Sequence, residues 1–128
     1  MDVQPKRRSA RGPAAWFTGE AWIDSLADSP GQSTWGMSLV HFTPGAHTAW
    51  HRHADGQTFY VFDGEGRAQA RGGAVVSIRP GDVVQTPPDE WHWHGAAPDH
   101  FMSHMSITGG DTEWGDHLTD SEYGTADQ

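Results

Sequence analysis

From Trp35 to Thr108 the chain is a succession of short runs in which apolar and polar side chains alternate or in which β-branched and aromatic residues cluster. The runs are WGMSLVHF, AHTAWHRH, QTFYVF, GRAQAR, AVVSI, DVVQT, WHWHGA and FMSHMSI. They are cut by TPGA, DGEG, RGGA, RPGD and PPDE, all rich in turn-forming glycine, proline and aspartate. Short period-two runs with turn signals at this spacing predict an all-β antiparallel sandwich or barrel. No stretch carries a sustained 3.6-residue apolar period, so little helix is expected. The TDSEY stretch at 119–123 is the exception, since Thr119 and Glu122 have capping-box spacing for one short turn.

Ahead of these runs, AAWFTGEAWIDSL contributes Trp16, Phe17, Trp22 and Ile23, which are expected to cover a face of the barrel or a subunit contact. The chain of 128 residues has room for one domain with a real core. That domain is expected over 13–123, between a flexible basic N-terminal tail at 1–12 and a disordered C-terminus at 124–128.

Charge narrows the function classes. There are 17 acidic and 8 basic residues, and residues 1–11 hold four of the bases but only one of the acids. The acidic body repels phosphate backbones, so nucleic acid is not an expected partner. No apolar run approaches the ~18 residues that cross a bilayer, and no apolar run follows PKRRSARGP as an export signal would require. With no cysteine in the chain, a cytoplasmic setting is expected and any metal must be held by nitrogen and oxygen.

Nine histidines make a metal worth pursuing. Residues i and i+2 of a strand share a face, so His51 and His53 can converge on one point inside a barrel, and His92 pairs with His94 by the same rule. Gln57 follows the ADG turn and opens the next run, from which its carbonyl oxygen can reach back over the first pair, or its amide can bond a neighbouring strand. Trp50, Trp91 and Trp93 occupy the alternate positions and are expected to pack away from the metal. His104 lies mid-strand in FMSHMSI, either as a pocket residue or as a buried histidine with a backbone partner. His41, His47, His100 and His117 are expected to be surface or structural.

The spacing Gly45, His51, His53, Gln57, Gly64, followed by Gly81, Pro87, His92, resembles the two signature motifs of the cupin family. Those are small double-stranded jelly-roll barrels that hold a divalent metal through three histidines and a carboxylate. Three positions depart from the pattern: Gln57 stands for glutamate, Asp89 for glycine and Ala96 for asparagine. A closer resemblance, carried by PAAWFTGEAWIDSL, FTPGAHTAWHRHADGQT, IRPGDVVQTPPDEWHWHGAAP and WGDHLTDSEY, is to the small bacterial manganese cupins that include (R)-selective hydroxynitrile lyases.

That resemblance implies His51, His53, Gln57 and His92 as ligands of one divalent metal per chain. It makes manganese the expected ion, with iron, nickel, cobalt or zinc also compatible with imidazole and carbonyl donors. It also implies His94 and His104 as catalytic pocket histidines, whose roles can be exchanged, and together with strand alternation it puts Ser38 and Val40 in the substrate pocket. A neutral amide in place of a carboxylate leaves the ion's full charge in the site, which favours Lewis-acid over redox chemistry. The implied activity is a carbon–carbon lyase that splits a cyanohydrin into aldehyde and cyanide. The alternatives are an oxygen-dependent dioxygenase of the quercetin type and a non-catalytic cupin that binds a small molecule. Apolar residues on both faces of the strands, and the habit of cupins to pair, lead to an expected homodimer or homotetramer.

Overall fold

The structure, a computed structural model, describes residues 1–124. Thirteen strands form two facing antiparallel sheets that curl into a barrel: β1 (Ala10–Arg11), β2 (Phe17–Thr18), β3 (Ala21–Asp28), β4 (Trp35–Phe42), β5 (His47–Thr48), β6 (His51–His53), β7 (Gln57–Gly64), β8 (Gly66–Ala70), β9 (Val76–Ile78), β10 (Val83–Thr86), β11 (His92–Ala96), β12 (Met102–Gly109) and β13 (Thr112–Trp114). The first sheet has the order β1-β3-β4-β12-β7-β10. The second runs β13-β6-β11-β5-β2, with β8 on the other edge of β11 and β9 beyond it. The one helix among the described residues is α1 (Asp120–Tyr123). The all-β barrel expected from the run pattern is the fold observed.

Alternation along each strand builds the core. Val40 and Phe42, Phe59 and Val61, and Met102 point inward from β4, β7 and β12 and meet Ala68, Ile78 and Ala96 of the second sheet. The second sheet's outer face is covered by the chain itself, where Trp50 and Trp93 pack with Leu118 and Tyr123. Trp93 is wholly buried there, and its indole N–H donates to Gln69 Oε1 at 2.8 Å. Trp50 and Trp93 therefore pack away from the face that carries His51 and His92, as alternation requires.

The helix is held as its sequence pattern predicts: Glu122 N donates to Thr119 Oγ1 at 3.1 Å, and Thr119 N donates to Glu122 Oε1 at 2.9 Å. The Tyr123 hydroxyl then donates to Ala96 O, tying α1 to β11. Gly124, placed by sequence in the disordered end, caps this helix at φ 86° instead. The remainder of that end, 125–128, lies outside the described residues.

Three local features differ from the run pattern. Ala10 and Arg11 pair with Ile23 and Trp22, so the first sheet begins inside the segment expected as a tail. Within AAWFTGEAWIDSL, expected to cover a face of the barrel or a subunit contact, Ala21 begins a full strand, Ala21–Asp28, paired along β4. The run AHTAWHRH is broken in two because the backbone N–H groups of Ala49 and Trp50 donate to Trp16 O and Asp116 O, outside the ladder. Asp89, where the resembled motif has glycine, adopts φ 62°, the left-handed conformation that favours glycine.

Candidate metal centre and active site

His51 and His53 project inward from β6 at 2% and 5% exposure. His92 of β11 lies opposite His51 in the ladder. Two strands thus deliver three imidazoles to one point, and their ligating nitrogens lie within 4.8 Å of one another.

The far side of each ring is anchored. His51 Nδ1 bonds Ala49 O at 2.9 Å and His92 Nδ1 bonds Glu90 O at 2.9 Å. A carbonyl only accepts, so both Nδ1 atoms carry the proton and both Nε2 atoms keep a free lone pair. His53 Nδ1 bonds the Thr112 hydroxyl at 2.8 Å, and its Nε2 is buried with no partner.

All three rings are neutral at pH 7. Burial is the main cause in each case: it lowers His53 to about 4, holds His51 well below the usual histidine value, and lowers His92. Proximity to His92 pushes His51 and His53 further in the same direction.

Gln57 opens β7 after the Ala54–Asp55–Gly56 turn. Its amide nitrogen donates to Ser106 Oγ at 2.8 Å, which turns the carbonyl oxygen toward His92 Nε2 at 2.9 Å. An amide oxygen and an unprotonated imidazole nitrogen are both acceptors, and a cation beside them satisfies both. The donor set of nitrogen and carbonyl oxygen, the anchored tautomers and the unpartnered His53 Nε2 all fit a divalent first-row metal.

His94 projects from β11 on the same side as His92, with ring centroids 5.7 Å apart. His104, on β12, is fully buried, and its Nε2 lies 3.2 Å from His94 Nδ1. The side-chain partner of His104 is therefore another imidazole. Phe42 and Phe59 flank the pair, with ring centroids 4.4–6.0 Å away. Burial in this apolar setting lowers His104 to about 3 and His94 well below the usual range, so each is a neutral base. His94 Nε2 and His104 Nδ1 are left without protein partners.

A cavity of about 230 Å³ adjoins His92 and His94 and is also lined by Phe59, Ala68, Val84 and Thr86 among others. Val40 is buried beside His104 in the ladder, and Ser38 lies opposite Ser106.

The other histidines have separate partners. His41 bonds Ser103 Oγ at 2.9 Å and Asp24 Oδ2 at 3.0 Å on the outer side of β4. His47 stacks on Tyr123 at 4.3 Å between centroids. Neither joins the metal cluster, and neither do His100 or His117.

Sequence reasoning passed over three contributors. Ser106 and Thr112 bond a candidate ligand each, and Trp114 stacks on His51 at 4.6 Å between centroids. Ser106 shares the inward face of β12 with His104, and that alternation was a signal for it. Thr112 and Trp114 lie on a three-residue strand that carries no pattern of its own.

Comparison with known proteins agrees with this geometry. The cupin domain model matches residues 38–107, which contain all three clustered histidines. An (R)-mandelonitrile lyase of Granulicella tundricola is 49% identical over 119 residues, covering 90% of this chain and 91% of its own. Among solved structures, a cupin-like protein of Thermotoga maritima superposes with a TM-score of 0.85 at 38% identity, covering 96% of this chain and 95% of its own. A cupin-2 domain protein of Rhodospirillum rubrum, with a TM-score of 0.71 at 20% identity, covers 90% of this chain and 77% of its own and is alike in fold. A barrel of this topology, a match across more than half of the chain and a relative at 49% identity leave one conclusion: the chain belongs to the cupin family.

Proposed function

We propose that the chain is a metal-dependent carbon–carbon lyase of the hydroxynitrile-lyase type, with His51, His53, Gln57 and His92 as the ligands of one divalent ion, manganese first among the candidates. The observation that carries this reading is the His94–His104 pair: two buried, neutral, mutually bonded bases beside a three-histidine cluster. Its likeness at 49% identity to a protein named (R)-mandelonitrile lyase supports the choice of reaction.

A bound divalent cation supplies Lewis acidity to the substrate hydroxyl. His94 or His104 accepts the hydroxyl proton, the bond between the carbinol carbon and the nitrile carbon breaks, and the bonding pair leaves with cyanide as the aldehyde carbonyl forms. The imidazolium returns the proton to cyanide, so the pair ends neutral. Such a step needs a base uncharged near pH 7, and burial keeps both rings in that form. Phe42 and Phe59 exclude water from the pair, while Val40 and Ser38 close the inner wall for a small-molecule substrate.

A homodimer or dimer of dimers belongs to the same reading, since Tyr60, Phe62, Val83 and Ile107 are exposed on the outer face of the first sheet. The cysteine-free composition supports a cytoplasmic setting. No helix of the described residues is long and apolar enough to cross a membrane.

Elemental analysis of the purified protein, with benzaldehyde release from (R)-mandelonitrile measured before and after metal stripping and manganese return, tests the proposal. The expected result is about one metal per chain and release that follows the metal. Bound metal without release removes the cyanohydrin reading and directs the search to oxygen uptake. In the His94→Ala/His104→Ala double variant, turnover is expected to vanish with metal content unchanged. Retained turnover overturns their catalytic role.

A further inference from the structure

We propose that β13 is a clasp on the metal site, in which Thr112 and Trp114 are positioning residues for His53 and His51. The inference rests on the histidine cluster as a metal site and goes beyond it, since β13 lies outside the residues matched by the cupin domain model.

The argument starts from register. β13 pairs with β6 residue for residue, Thr112 with His53, Glu113 with Arg52 and Trp114 with His51. Each pair also has a side-chain contact. Thr112 Oγ1 bonds His53 Nδ1 at 2.8 Å. Glu113 Oε1 accepts from Arg52 Nη2 at 2.8 Å and from Arg52 Nε at 3.1 Å. Trp114 lies over the His51 ring at 4.6 Å with 29° between planes, and Trp16 backs it at 4.9 Å with 4° between planes.

The chain beyond the strand continues the hold, where Gly115 N donates to Trp50 O at 2.7 Å and Trp50 N donates to Asp116 O at 3.0 Å. Two of the three histidines orient themselves on backbone carbonyls, which no side-chain substitution removes. His53 depends on a side chain. Thr112 is therefore the point at which ring orientation in this cluster is open to test.

The tautomer explains why Thr112 acts on metal affinity and not on folding alone. Ligation through Nε2 forces the proton onto Nδ1, and that N–H then needs an acceptor, which is Thr112 Oγ1. Without metal the proton is free to move to Nε2, where the Gln57 side chain, which interacts with this ring, can turn to accept it, and the need for Thr112 falls. Removing the hydroxyl thus penalises the metal-bound form more than the metal-free form, because a buried N–H without a partner is costly.

Manganese(II) titration of the full-length, metal-stripped protein, followed by loss of the free-ion electron paramagnetic resonance signal, tests the clasp. Thr112→Val, which keeps shape and loses the hydroxyl, is expected to weaken binding about 10- to 100-fold, the range typical of groups that orient metal ligands. Thr112→Ser is expected to return affinity to near the parent value. Trp114→Ala is expected to weaken binding, with Trp114→Phe intermediate. The melting temperature of metal-free Thr112→Val is expected to stay near that of the metal-free parent, which a purely structural role would not allow.

Parental affinity in Thr112→Val overturns the clasp. His53→Ala separates the two levels of inference. If His53→Ala binds manganese as the parent does, the histidine cluster is not the metal site, and the clasp falls with it. If His53→Ala weakens binding and Thr112→Val does not, the clasp alone is wrong.

Discussion

His53 in the folded chain is lowered to about 4, against about 6.5 when exposed, and the sign of its contribution follows from that gap. Above pH 6.5 neither state takes up the proton. Between 6.5 and about 4 the unfolded chain binds it and the folded chain does not, so stability falls with pH, by on the order of 3 kcal/mol for this one ring. His51, His92, His94 and His104 are lowered too and act with the same sign. The melting temperature of metal-free protein is therefore expected to drop steadily from pH 7 to pH 5, and a flat profile would contradict the buried, neutral cluster. A second expectation concerns Asp89, whose φ of 62° costs a side chain more than it costs glycine. Asp89→Gly is expected to raise stability by up to about 1 kcal/mol and Asp89→Val to lower it, read as opposite shifts in denaturant midpoint. Period-two alternation makes the paired histidines legible in the sequence, while Gln57 is legible from the turn before it and from the motif spacing. Thr112 and Ser106 were not read, since a hydroxyl that serves a ligand declares itself only once the partner strand and its register are known.

At the scale of elements, β11 pairs with β5, β6 and β8 and carries both His92 and His94 into the site. Gly95 lies between His94 and Ala96, and a Cβ there would sit 2.5 Å from Ala46 O and from the His47 backbone. Gly95→Ala must push β5 from β11, with an expected loss of about 1–3 kcal/mol. It is also expected to weaken metal retention, since β11 carries His92 and His94. Thermal unfolding and metal content of the same sample check both. Runs bounded by glycine and proline coincide with strands, WGMSLVHF with β4 and GRAQAR, less its last residue, with β8. AAWFTGEAWIDSL has large apolar residues outside the central runs, which suggests a cover or a subunit contact, yet Ala21–Asp28 pairs along β4 as a strand. The break between β5 and β6 depends on hydrogen bonds to Trp16 and Asp116, which are far off in sequence, and no local pattern encodes it.

At the scale of the whole molecule, one outer face is closed and the other is open. Trp50, Trp93, Leu118 and Tyr123 seal the second sheet from within the chain. The first sheet presents Tyr60, Phe62, Val83 and Ile107 outward, and Ile107→Glu is expected to shift the sedimentation of the protein from dimer or tetramer toward monomer. Parental sedimentation unchanged by this charge would place any subunit contact elsewhere. If the histidine cluster holds an ion as proposed, the stack of Trp16 on Trp114 on His51 becomes an optical gauge of its occupancy. Among the described residues Trp114 is the indole stacked directly on a ring of the histidine cluster, and a paramagnetic ion held by that ring would drain its excited state. Emission should dim as the site fills and recover on chelation, and in Trp114→Phe most of that signal should disappear while the other tryptophans continue to shine.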